Sequence, residues 1–235
     1  AQGAAGLLAS GTDYTHNAHF SVNQDISVNS LTVGRGSGNR SSNTAIGSFA
    51  LSSNTMGTNN TAIGNSALNK VIDTHSNTAI GAGALSQCRG HNNTATGVSA
   101  LSGSGLGTGS YNVANGYHAL KNNLNASNNV AIGSESLLNN TGGGNNVAIG
   151  ASALSSNTSS HGNTAIGKGA LSSLNNSTEN TALGHNSGAN VTTAFWSLFL
   201  GTNTGSSISG VNYSTALGYN ACLLYTSDAA DDSLR

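Results

Sequence analysis

The sequence predicts an all-β fold, a parallel β-roll or β-solenoid of about eleven seventeen-residue coils, and three observations carry that expectation. The first is a repeat, clearest at residues 60–76 as NTAIGNSALNKVIDTHS. Its Gly recurs at Gly47, Gly64, Gly81, Gly97, Gly116, Gly133, Gly150, Gly167, Gly184, Gly201 and Gly218; eight of the ten spacings are 17, and the others are 16 and 19. A short fixed period of this kind is the signature of stacked supersecondary units. The second is columnar chemistry, the same residue type returning at the same place in each unit. The third is composition: 6% charged residues, a net charge of -1 and no Pro, unlike the charge-rich and Pro-rich makeup of disordered chains.

Residues 1–30 form a lead-in or cap. Residues 1–10 have no period, whereas Phe20, Val22, Ile26, Val28, Leu31 and Val33 fit two short alternating strands. Leu31-Thr32-Val33-Gly34 matches Thr-Ala-Ile-Gly in hydropathy and reads as a degenerate first rung or a cap. Solenoids need caps because an open end coil leaves backbone groups unpaired.

The regular array occupies residues 31–221, with full units from residue 43. Before nine of the eleven Gly residues stands Ile or Leu (Ile46, Ile63, Ile80, Ile132, Ile149, Ile166, Leu183, Leu200, Leu217), the deviations being Thr96 and Asn115, and two places earlier stands Thr, Val or Leu. Side chains alternate along a strand, so these two columns share a face and the Ala column (Ala45, Ala62, Ala79, Ala131, Ala148, Ala165) takes the other. Ala predicts a crowded contact, inside the coil or against another chain, and the Thr/Ile face predicts an interior; both faces read as dry. The Gly column fits turns that need positive φ. After it come Ala67 and its equivalents, then Leu51, Leu68, Leu85, Leu101, Leu120, Leu137, Leu154 and Leu171, a second leg that fits either a short strand or one helical turn. The Asn column (Asn43, Asn60, Asn77, Asn93, Asn112, Asn129, Asn146, Asn163, Asn180) fits an amide ladder satisfying a buried corner. The long unit between Gly97 and Gly116 predicts a bulged loop at residues 106–110. At residues 194–200 (AFWSLFL) the lead-in turns apolar, with Trp196 expected in the core.

One coil contributes two to three large aliphatic side chains at roughly 1.5–3 kcal/mol each, against about 1–2 kcal/mol per ordered backbone residue. A lone coil therefore cannot fold, and stacking is obligatory. The dry second face, assigned here to Ala, calls for cyclic association of identical chains. Eleven rungs at about 4.8 Å span roughly 50 Å.

The NTAIGxxAL units resemble the head repeats of trimeric autotransporter adhesins (YadA-like heads), which also occur in bacteriophage tail fibres. The resemblance covers residues 31–221. It implies a left-handed parallel β-roll, three chains about one axis, and an extracellular fibre on a bacterial surface or a virion. Such a fibre attaches to host cells or matrix through a receptor the sequence does not name, or serves as a passive spacer for a tip elsewhere. The lead-in QDISVNSLTVGRG (residues 24–36) looks more like the entry to tail-fibre repeats.

The remaining chemistry is sparse. Seven Lys and Arg residues cannot make the basic stripe of a nucleic-acid binder, and no apolar run approaches the roughly 20 residues of a membrane-spanning helix. His16 and His19 lack a third ligand, and His75, His91, His161 and His185 are read as scattered. Cys88 has no catalytic partner, and Asp25, Asp73, Glu135 and Glu179 are isolated carboxylates. Gly142-Gly143-Gly144 lacks the Asp of a calcium-binding solenoid, and Gly103, Gly105, Gly107 and Gly109 are not followed by the Lys of a phosphate loop. The expectation is no enzyme, no cofactor and no metal. A row of Thr44, Thr61, Thr78, Thr94, Thr164 and Thr181 raises ice binding as an alternative, opposed by Val113, Val130, Val147 and Leu198 in the same row and by its interior placement. Residues 222–235 (CLLYTSDAADDSLR) back-translate into a library-adapter sequence and read as non-native, so that both ends of the natural chain are expected to be missing.

Overall fold

Eleven three-residue strands lie in parallel, one per coil, in the computed structural model, which describes residues 25–28, 31–103, 105–205 and 209–222. They are β3 (Thr44–Ile46), β4 (Thr61–Ile63), β5 (Thr78–Ile80), β6 (Thr94–Thr96), β7 (Val113–Asn115), β8 (Val130–Ile132), β9 (Val147–Ile149), β10 (Thr164–Ile166), β11 (Thr181–Leu183), β13 (Leu198–Leu200) and β15 (Thr215–Leu217). Each pairs with the equivalent strand of the next coil, so Thr61 faces Thr78 and Ile63 faces Ile80. The result is a β-solenoid of about ten turns, with no helix among the described residues. The strands are short because both ends are corners. From Asn60 onward the residue before each ladder Asn is left-handed (Asn59 φ 59, Asn145 φ 59), and the Gly after each strand has φ near 130.

Two antiparallel strands, β1 (Ile26–Val28) and β2 (Leu31–Gly34), close the first edge; β2 runs antiparallel to β3, with Val33 opposite Ile46. Leu31–Gly34 is thus a cap and not a rung. The Asp25 carboxylate accepts the N–H groups of Arg35 (2.6 Å) and Gly36 (2.9 Å), tying the cap to the first coil. The parts of the lead-in read at Phe20 and Val22, together with His16 and His19, lie outside the described residues, as do residues 223–235.

The interior is built from the middle residue of each strand and the Ala-Leu pair beyond the Gly. Ala62, Ala79, Ala148 and Ala165 are fully buried, as are Ala67, Leu68, Leu85, Leu154 and Leu171. This corrects the face assignment: the Ala column points into the coil, and the Thr and Ile columns point out. Ile46 and Ile80 are exposed, and Ile63, Ile149 and Ile166 are half-buried. A seventeen-residue coil is narrow, and its two legs are already bridged by Leu, so a single methyl is what the strand side can add.

The second leg is neither strand nor helical turn. It is a run of turns in which Leu itself is left-handed (Leu68 φ 50, Leu154 φ 51) and donates its N–H to the Ala of the following coil, as Leu68 does to the Ala84 carbonyl at 3.0 Å. The 19-residue coil takes its extra length at residues 102–107. There the Gly107 N–H closes a tight turn on the Gly105 carbonyl (2.8 Å) and Leu106 is exposed, while Ser104 is not described.

Near the end the core changes hands. Gly188 and Gly205 stand where earlier coils have Leu, and Phe199 stands where they have Ala. A Cβ on Gly188 would meet the Phe199 ring at 3.3 Å, and one on Gly205 at 2.7 Å. Phe199 is 0% exposed and fills the room that two missing Leu side chains leave. Trp196, expected inside, is 55% exposed and stacks on Tyr213 of the next coil at 5.0 Å and 9°. The strands preceding the two rings, β12 (Thr193–Phe195) before Trp196 and β14 (Gly210–Asn212) before Tyr213, form a second, two-stranded parallel sheet.

Candidate interaction face

Three columns of each coil reach the surface or its corners in register: the Thr/Val and Ile/Leu columns of the sheet, and the corner that leads into it. The two sheet columns place 22 side chains from eleven coils on one face, and none of the 22 is charged. Ile, Leu or Val fills most of it, and Val113, Ile132, Leu183, Leu198 and Leu217 are exposed. Two consecutive coils interrupt the Ile column with Thr96 and Asn115.

The corner beside this face is held by the Asn ladder, and the sequence expectation for it is met. Asn60, Asn77, Asn146 and Asn163 are buried. Asn146 Oδ1 accepts the Asn163 backbone N–H (3.0 Å), and Asn146 Nδ2 donates to the Ser160 carbonyl (2.8 Å) and to Asn129 Oδ1 (3.1 Å). Asn146→Ala strands the buried Asn163 N–H, at about 1–3 kcal/mol, and leaves the Ser160 carbonyl with the Asn157 amide alone. The expected outcome is a loss of about 1–3 kcal/mol, read by urea denaturation followed by circular dichroism. Asn146→Asp keeps the acceptor but buries a carboxylate against two oxygens. That raises its pKa in the folded state, so this variant is expected to be more stable in acid and to lose that stability as pH rises through the raised value.

A second buried Asn column, missed in the sequence, stands three residues after Leu. Asn140 Nδ2 donates to the Gly143 carbonyl (2.7 Å) and its Oδ1 accepts the Gly143 N–H (3.0 Å). Asn54, Asn123 and Asn157 repeat the first of these bonds. Val71, Cys88, Leu174 and Val191 occupy the same position in other coils and are buried. The signal was the fixed offset from Leu, hidden because polar and apolar residues share the column. Cys88 is core packing, and burial pushes its thiol pKa up.

His75, His91 and His161 are not scattered: each stands two places before a ladder Asn. Each turns Nδ1 toward a backbone N–H of the previous coil, from Thr58 (3.2 Å), His75 (3.0 Å) and Gly144 (2.9 Å). Ser110 and Ser127 do the same with Oγ, so the imidazoles serve as coil-to-coil acceptors. His185 lies elsewhere, one residue after its Gly. Among the described residues there is no group of three or more His, Cys, Asp or Glu side chains that could hold a metal ion, and no helix long and apolar enough to cross a membrane.

The Gly column permits this close stacking. Gly64, Gly81, Gly150 and Gly167 have φ from 131 to 136, and a Cβ on Gly64 would sit 2.6 Å from the Gly81 carbonyl oxygen. No family model matches this chain, and comparisons with curated proteins and with solved structures find no match.

Proposed function

We propose that this chain is a structural and adhesive segment of a trimeric extracellular fibre, of the bacterial-surface or phage-tail kind its repeats resemble, attaching to host cells or matrix. The observation that carries the reading is the outward Thr/Ile face. It is uncharged, eleven coils long, and formed by side chains that the solenoid itself leaves exposed or half-buried. At about 4.8 Å per coil and about 3.3 Å per residue it measures about 50 by 10 Å, or on the order of 500 Å² in projection. That is the scale of the largest apolar patch a monomer tolerates, roughly 300–600 Å², and it approaches the roughly 800 Å² per partner of a stable interface once side-chain relief is added.

Copies of the same chain are the occupant this face suits. An uncharged periodic surface has no charge pattern to match a different partner, while three identical faces around an axis exclude water from all three Ile columns at once. The face thereby takes the role that the sequence alone had given to Ala. Among the described residues no catalytic grouping stands behind an enzymatic reading. Attachment, in this reading, belongs to the polar turns on the opposite side, and a passive spacer is the variant in which those turns bind nothing. Sedimentation of the full chain is expected to give three times the chain mass with a β-rich spectrum; a folded monomer would overturn the assembly. Binding of that same species to cells or matrix separates adhesin from spacer.

Outward placement of the Thr column removes the interior-placement objection to an ice-binding solenoid, while Val113, Val130, Val147 and Leu198 still interrupt the hydroxyl row. This second reading needs the face open to solvent. Ice-recrystallisation inhibition by a monomeric chain would favour it over the fibre.

A further inference from the structure

We infer that Thr96 and Asn115, the polar pair in the Ile column, set the alignment in which copies of this chain associate. The inference rests on the self-association proposed above. A face of near-identical coils has a weakness: sliding one copy by a single coil, or reversing it, still matches Ile with Ile and Thr with Thr, and only the end contacts are lost. Something must break the periodicity if one arrangement is to win.

The break is present at adjacent coils and off centre. Thr96 ends β6 and Asn115 ends β7, and they pair with each other across the sheet. These are the fourth and fifth of the eleven parallel strands. Both side chains point outward with the Ile column, and among the described residues neither is engaged in a hydrogen bond within the chain. With copies parallel and in register, Thr96 and Asn115 of each chain meet the same pair at the same height, so hydroxyl and amide groups find partners. With copies antiparallel and fully overlapped, the fourth and fifth strands face the eighth and seventh, and the polar pair is buried against Ile166 and Ile149. A slip of one coil keeps a single Thr96–Asn115 contact and sets the remaining Asn115 against Ile132 and the remaining Thr96 against Ile80, and a slip of two or more coils sets the whole pair against aliphatic side chains. A buried amide without a partner is far costlier than one fewer aliphatic contact, so the polar pair penalises every arrangement except one.

The test is interchain distance measurement by pulsed dipolar electron spin resonance on the full chain. It carries Cys222→Ser and one nitroxide at Ser134→Cys, an exposed site away from the outer columns. The unaltered face is expected to give a single narrow distance. Thr96→Ile with Asn115→Ile, which only restores the repeat consensus, is expected to keep fold and mass but give several distances or one broad distribution. Adding Ile149→Thr and Ile166→Asn to that variant moves the polar pair and is expected to restore one narrow distance. A single narrow distance in the all-Ile variant, or a broad one in the parent, overturns the inference. A monomer mass by sedimentation instead overturns the association on which it rests, so the two failures are distinguishable.

Discussion

Gly133→Ala is expected to lower stability by about 2–6 kcal/mol, enough to open the middle of the stack. Two costs add. The backbone at Gly133 has φ 128, a conformation that strains any residue with a side chain by about 1–3 kcal/mol. The new methyl would also stand 2.6 Å from the Gly150 carbonyl carbon and 2.9 Å from the Ala151 nitrogen, and relieving that overpacking costs about 1–3 kcal/mol more. Neither obstacle is a flexible side chain, so relief requires parting two coils along the backbone ladder. Urea denaturation of Gly133→Ala beside Ser134→Ala, an exposed neighbour, reads the difference. An unchanged midpoint would mean that the coils are less closely stacked than described.

Phe199→Ala is expected to cost about 3–5 kcal/mol, the range for emptying an aromatic core site. This substitution restores the repeat consensus at that position, so a sequence-based view would score it as harmless or stabilising. The structure predicts the opposite because Gly188 and Gly205 have given up the Leu side chains that Ala needs as neighbours. The compensating variant is Phe199→Ala with Gly188→Leu and Gly205→Leu, which returns all three positions to consensus. Leu is tolerated at this left-handed position in eight earlier coils, from Leu51 to Leu171. The triple variant is therefore expected to recover most of the loss, whereas Gly188→Leu alone, added to an intact Phe199, is expected to destabilise. Thermal melts of the four proteins complete the cycle.

Much of the architecture was legible because a repeat states its own alignment. The coil count, the buried Asn corner, the Gly turns and the Ala-Leu interior all follow from columns that recur at fixed offsets, and Asn146, Gly150 and Leu154 stand where the period puts them. What the period cannot supply is which side of a strand is inside. Alternation separates Ala148 from Val147 and Ile149, but hydropathy ranks Ile as the more buried and so inverts the answer. Coil width decides it: with Leu154 already spanning the interior, there is no volume for Ile. The same reasoning misplaced Trp196, where hydropathy pointed inward and the corner carries the ring outside, while Phe199 took the core. The candidate face was thus visible as two columns and invisible as a surface.

The Asn ladder also makes the stack directional. From Asn112 to Asn180 each side-chain amide donates to the Asn oxygen one coil back, at 3.0–3.3 Å through Asn93, Asn112, Asn129, Asn146 and Asn163. Six amide dipoles therefore point the same way along the axis, head to tail, with the positive pole toward the N-terminal coils. Chains of aligned hydrogen bonds polarise one another, strengthening each bond by roughly 10–30%. An amide in the middle is reinforced from both sides and one at an end from a single side. Loss of Asn146 should thus be felt at Asn112 and Asn180, two coils away in either direction, where no atom has moved.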